Sequence, residues 1–223
     1  MFRYESELVE SMVKWLKEGD QLEQFVSSAE SYEVFTEVGL GHGVADIVVT
    51  EIERKICDRK KRLDSFQVML MRIISSNNGL TLAEIAIKTR AAKKRINDAL
   101  AGLEDEGFIR LFEDNYFLAR EYEKVAKKSI AIEAKLKNWK RALKQAYRYK
   151  WFSELSYVCL PSSNIGPAKT NIDEFKRLEV GLVSYDDDNK FDFIYTPPPA
   201  QPFDADMTVL LSEHALTSIC SFG

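Results

Sequence analysis

Apolar positions follow two rhythms along this chain, and each change of rhythm marks an element. Leu8, Val9, Met12, Val13 and Leu16 recur at helical spacing and predict a helix over 5–18, with Gly19 as its stop. Residues 32–38 mix aromatic and β-branched types and predict a strand. Gly39, Gly41 and Gly43 then punctuate a turn, and 44–50 reads as a second strand. A third strand is expected over 129–136, then a helix over 138–151 and an apolar strand over 155–160 ended by Pro161. Further on, the pattern predicts a helix over 172–179, strands over 180–185 and 191–195, and a break at Pro197-Pro198-Pro199. Residues 207–219 show no decisive period.

A stretch of different character separates the second and third strands. Residues 66–75 form an apolar helix, Asn78-Gly79 a turn, and Thr81-Leu82-Ala83-Glu84 a capping box that opens a short helix to Lys88. Ile96, Ala99, Leu100 and Leu103 mark a third helix ending before Gly107, and 108–118 reads as a hairpin with its tip at Glu113-Asp114-Asn115. Three helices and a hairpin in this order resemble a winged helix-turn-helix of the MarR/ArsR type over 63–122. That resemblance implies that the third helix enters a DNA major groove, with Arg90, Lys93, Lys94 and Asn97 facing the duplex. Winged helices also serve as docking and dimerisation units, so a homodimer is a further expectation.

Composition refines the picture more than it drives it. The 223 residues carry a net charge of −4, which by itself disfavours a nucleic-acid partner. The bases are concentrated, however: one run lies at 54–62, and residues 124–150 hold ten bases against Glu133 alone, while the carboxyl third is acidic. Such a split creates a local field that attracts polyanions. No apolar run approaches a membrane span and no secretory core opens the chain, so no membrane partner is expected. Cys57, Cys159 and Cys220 have no CxxC spacing, which points to unpaired thiols and a cytoplasmic setting.

The chemistry concentrates in the third strand. In Ile130-Ala131-Ile132-Glu133-Ala134-Lys135-Leu136, alternation puts Ile130, Ile132, Ala134 and Leu136 on one face and Glu133 and Lys135 together on the other. An ion pair in so apolar a strand gains little stability against its desolvation. Asp46, inside Val44-Ala45-Asp46-Ile47-Val48-Val49, is equally out of place unless it binds something.

These segments, Gly43 to Val49 and Ile132-Glu133-Ala134-Lys135, resemble the PD-(D/E)xK nuclease superfamily, with Ala45 where the name places proline. Gln145 and Tyr149 match the Gln-xxx-Tyr pattern of its RecB-like branch, and Glu7 resembles the helical acid of archaeal Holliday-junction resolvases. The resemblance implies an α/β fold with a restriction-endonuclease-like αβββαβ core in two parts, 1–62 and 123–223, split by the winged helix. It further implies a Mg²⁺- or Mn²⁺-dependent deoxyribonuclease whose cation is held by Asp46, Glu133 and the Ala134 carbonyl. Glu37, or else Glu7, completes the coordination, and Lys135 orients or deprotonates the attacking water. Gln145 and Tyr149 are expected to face the site and position a phosphate, while Lys137, Arg141, Lys144 and Arg148 form a basic stripe for the DNA backbone. Trp139 and Trp151 are expected in the core, and His42 either touches DNA or is idle. The alternative to the enzyme is a non-catalytic DNA-binding regulator or interaction module on the same scaffold.

Overall fold

The computed structural model describes residues 2–18, 31–53, 59–186, 188 and 190–220. Gly19, Cys57, Asp187 and part of the expected basic run, residues 54–58, lie outside them. The chain divides into two compact units, Met1–Glu53 with Ala126–Ala205, and Arg54–Val125 with Asp206–Gly223. Among the described residues no helix is long and apolar enough to cross a membrane.

The first unit is α/β. It runs α1 (Glu5–Glu18), β1 (Tyr32–Gly39) and β2 (Val44–Ile52), and resumes with β6 (Ala126–Ala134), α5 (Trp139–Tyr149) and β7 (Leu155–Pro161). It ends with α6 (Gly166–Thr170), α7 (Ile172–Leu178), β8 (Gly181–Tyr185) and β9 (Phe191–Tyr195). The six strands form one mixed sheet in the order β1-β2-β6-β7-β8-β9. β1, β2 and β6 pair antiparallel, whereas α5 carries the chain over so that β7 lies parallel to β6 and β8 parallel to β7. β6 is central and buried on both faces from Ser129 to Ala134, as a strand covered by helices must be.

The two faces have different cores. Leu8, Met12 and Leu16 of α1 pack on Ile47, Val49, Ile130, Ile132 and Ala134. Ala142, Leu143, Ala146 and Tyr149 are the buried residues with which α5 covers the other face, that of Glu133. Across the β7–β8 pair, a Cβ on Gly181 would stand 2.1 Å from Cδ1 of the Tyr157 ring, so the buried tyrosine requires glycine opposite it.

The second unit contains α2 (Ser65–Ser76), β3 (Leu80–Thr81), α3 (Leu82–Thr89), α4 (Lys93–Asp105), β4 (Ile109–Phe112) and β5 (Asn115–Leu118). Its small sheet has the order β3-β5-β4. The Thr81 capping box is present: Glu84 N–H donates to Thr81 Oγ1 at 3.3 Å, and Thr81 N–H to Glu84 Oε2 at 2.8 Å. α2 opens with a second box, Asp64 with Gln67. Residues 207–219, without a decisive period, contain most of α8 (Ala205–Ala215). From Asp206 onward this segment packs with the second unit, not with the 123–223 piece in which it was expected.

A buried ion cluster holds this unit together. Arg59 Nε bonds Glu106 at 3.0 Å and Arg59 Nη1 bonds Glu213 at 2.9 Å, with all three side chains almost fully enclosed. Leu63 N–H donates to Glu213 at 2.7 Å, and Lys61 N–H to Glu106 at 2.8 Å. The Arg59 and Arg120 guanidinium groups lie 4.9 and 4.5 Å from the Phe108 ring centroid. Of the cysteines, Cys159 is a buried free thiol, as expected, but Cys220 is disulfide-bonded, a departure from the expected unpaired set.

Candidate active site

β2 and β6 separate next to Asp46. Their ladder ends at Ile47↔Ile132, while β2 stays paired with β1 to Gly39↔Val44 and β6 stays paired with β7 to Ala134↔Cys159. At this fork the Asp46 carboxylate replaces a backbone acceptor: Ala134 N–H donates to Asp46 Oδ2 at 2.8 Å. The antiparallel register sets Asp46 and Glu133 opposite one another on the α5 face. Strand β6 ends at Ala134, one residue short of Lys135, whose backbone N–H still bonds Cys159 O at 3.0 Å.

The Lys135 ammonium occupies the centre of the fork. Its Nζ lies 2.8 Å from Glu133 Oε1, 3.7 Å from Asp46 Oδ2 and 3.0 Å from the Ala134 carbonyl oxygen. A fourth oxygen, Glu5 Oε2 at the start of α1, is 3.1 Å away. Three carboxylates thus face one ammonium, leaving an excess of negative charge in a partly dry pocket. Glu133 is 1% and Lys135 12% exposed.

Burial dominates the acid equilibria. Desolvation pushes both Asp46 and Glu133 above the usual carboxylate range, opposed at Asp46 by the Ala134 N–H and Lys135, and at Glu133 by bonds from Lys135 and Tyr149. For Lys135 burial works downward, but the bond to Glu133 and the charges of Asp46 and Glu133 outweigh it, so the amine is held more firmly protonated than usual.

The Tyr149 hydroxyl meets both Glu133 Oε2 and, at 2.7 Å, the Val44 carbonyl. It has one proton to donate, so the two acceptors share it. Gly43, just before β2, takes φ +125°, a backbone that favours glycine, and the Tyr149 ring lies 3.8 Å from where its Cβ would be. Tyr149 therefore positions Glu133 and does not present a free hydroxyl to a phosphate as expected. Gln145, one turn earlier on the same face of α5, keeps a buried Oε1 with no hydrogen-bond partner among the described residues.

Glu37 and Glu7 were the two further ligands expected. Glu37 stands across from Asp46 in the β1–β2 register, between Thr36↔Ile47 and Val38↔Ala45, but takes a left-handed backbone (φ 54°) and its side chain is exposed. Glu7 accepts from the N–H groups of Arg3 at 2.6 Å and Tyr4 at 3.3 Å, closing the entry to α1. The α1 acid at the fork is instead Glu5. Its signal is present in the sequence, because Leu8, Met12 and Leu16 form the buried stripe and Glu5 extends it three residues upstream, whereas Glu7 lies off it. Among the described residues no group of three or more His, Cys, Asp and Glu side chains is arranged to hold a metal ion. Of the oxygens gathered around Lys135, the expected cation site would use those of Asp46 and Glu133 and the Ala134 carbonyl. That set fits Mg²⁺, which keeps much of its water and takes one or two carboxylates.

Outside the fork, Lys137, Arg141, Lys144 and Arg148 are exposed, and among the described residues none of them forms an ion pair. Lys137 precedes α5, with Asn138 as the helix cap. Lys93, Lys94 and Asn97 are exposed on the first turns of α4, but Arg90 is not on that helix: it caps α3 in a left-handed conformation. The chain matches no protein-family model, no curated protein and no solved structure.

Proposed function

We propose that this chain is a Mg²⁺- or Mn²⁺-dependent deoxyribonuclease of the PD-(D/E)xK type, with a restriction-endonuclease-like core interrupted by a DNA-binding winged helix. The observation that carries the reading is the fork itself: Lys135 Nζ sits among Asp46 Oδ2, Glu133 Oε1 and the Ala134 carbonyl, a cluster of hard oxygens already gathered around a positive charge. A divalent cation bound there would polarise the scissile phosphate and make a water more acidic. Asp46 and Glu133 hold their carboxylates in place through the Ala134 N–H and the Tyr149 hydroxyl. Lys135, with Nζ among the oxygens of Asp46, Glu133 and Ala134, is placed to offset charge on the phosphate or to orient the attacking water. The orphan Gln145 Oε1 is an acceptor for the attacking water.

In this reading the unpaired cations around α5 hold the DNA backbone, and α4 brings Lys93, Lys94 and Asn97 to a groove. The test is cleavage of plasmid DNA in Mg²⁺ or Mn²⁺. Wild type is expected to cut, and Asp46→Ala and Lys135→Ala to fail; equal cutting by all three removes the fork from the mechanism. One observation favours a second reading, a DNA-binding regulator without hydrolysis: the Lys135 ammonium itself engages the Glu133 carboxylate and the Ala134 carbonyl. That reading expects salt-dependent duplex binding, lost in Lys93→Ala/Lys94→Ala, and no metal-dependent cleavage by wild type.

A further inference from the structure

The outer side of α5 carries groups that phosphodiester hydrolysis does not use. Lys140, Lys144 of the basic stripe and Tyr147 follow at spacings of four and three on α5, and Trp151 lies in the turn just beyond the helix. Trp151, expected in the core, is only partly buried. His42 stacks on it with centroids 4.4 Å apart and planes at 23°. Phe203 meets Trp151 edge-on at 6.1 Å and Tyr147 at 6.3 Å. Phe203 is 51% and Tyr147 38% exposed. These rings are built into the unit: Phe203 N–H donates to Lys150 O at 3.0 Å, and Asp204 N–H to Trp151 O at 3.1 Å. The ledge also joins the fork, since Tyr149 couples Glu133 to the carbonyl of Val44, itself a half-exposed apolar residue two positions from His42.

Exposed rings beside cations that form no ion pair among the described residues call for a partner that is both anionic and flat. Duplex DNA keeps its base faces stacked on one another and offers only its charge. An unpaired strand offers phosphates to Arg141, Lys144 and Arg148 and base faces to the rings. We propose that His42, Tyr147, Trp151 and Phe203 form a stacking platform for an unpaired DNA strand, which the basic stripe holds against the unit. This deepens the nuclease reading and rests on it for the fate of the strand, though not for the binding.

The experiment is fluorescence anisotropy of a fluorescein-labelled oligothymidylate of about 15 nucleotides, a length that covers such a site. It is run in EDTA at low salt, beside a blunt duplex of equal length and an abasic oligonucleotide. Phe203→Ala and Tyr147→Ala are expected to weaken single-strand binding by roughly 5- to 150-fold each, with duplex affinity unchanged. Phe203→Leu, which keeps the apolar bulk, is expected to show the same selective loss. Oligothymidylate should also quench tryptophan emission in wild type and not in Trp151→Phe. Abasic and thymidylate strands binding alike, absence of single-strand binding, or an unaltered Phe203→Leu would each overturn the platform. Cleavage in Mg²⁺ is scored separately. Selective binding without cleavage removes the nuclease reading and leaves the platform, whereas cleavage with unselective binding does the reverse.

Discussion

Replacing Tyr149 with phenylalanine removes one oxygen from a site where that oxygen serves two acceptors. The hydroxyl is the neighbour of Glu133 Oε2 on the side away from Lys135, and it also reaches the Val44 carbonyl. Glu133 is almost wholly enclosed, so a lost donor is not replaced by bulk water. A hydrogen bond to a charged, buried group contributes about 1.5–3 kcal/mol, and the ring itself is retained, so no cavity term is added. With a urea dependence of about 2 kcal/mol per molar, the unfolding midpoint should fall by about 0.7–1.5 M. The three tryptophans, Trp15, Trp139 and Trp151, all belong to the first unit, so tryptophan emission reports the unfolding of the unit that holds the fork. Against a Glu133→Gln background the same change should cost at least about 1 kcal/mol less, since the two groups are coupled. A midpoint shift below about 0.2 M, or equal costs in both backgrounds, would refute the claim that Tyr149 holds Glu133.

Three further outcomes follow from the same contacts. Lys135→Met strips the ammonium from Glu133 and Asp46 and should destabilise the first unit by about 3–5 kcal/mol; added Mn²⁺ should then raise its melting temperature more than it raises that of wild type. Glu213→Gln breaks the enclosed pair with Arg59 and should cost the second unit a similar about 3–5 kcal/mol, read by circular dichroism because that unit has no tryptophan. His214 is pushed below 6.5 by burial and by Arg62, so the fold favours its neutral form; stability should be full above pH 6.5 and decline as pH falls from there through the lower folded value. His214→Gln should flatten that decline in urea titrations between pH 7.5 and 5.5 (a range of about two units around the ordinary histidine value), and an unchanged slope would rule His214 out as its source.

Much of the first unit was legible because its elements have strong periods. Alternation in β6 placed Glu133 apart from Ile130, Ile132 and Ala134, and those three do pack against α1. The fork was not legible, because it depends on the register Ile47↔Ile132, which joins residues 85 positions apart and is set by side chains from several elements. The left-handed backbone of Glu37 was not legible, because proximity to the glycine turn says nothing of a φ reversal within β1. Glu7 misled because a first-turn acid so readily caps its own helix. α8 went unassigned since its apolar residues do not form one stripe; Val209 and Leu210, adjacent in sequence, both pack on the core of the second unit. The aromatic ledge was hidden by the rule that large rings are buried, a rule blind to the segment at Phe203 that folds back on the end of α5.

The account turns on whether the fork binds a divalent cation, and Mn²⁺ tests this without any nucleic acid. In electron paramagnetic resonance titrations, wild type should quench the signal of free Mn²⁺ saturably, Mg²⁺ should compete, and Asp46→Asn and Glu133→Gln should each weaken binding at least about tenfold, the loss of roughly 1.4 kcal/mol of ligand interaction. Mn²⁺ binding that is absent in wild type, or unaltered in both variants, would contradict the central claim.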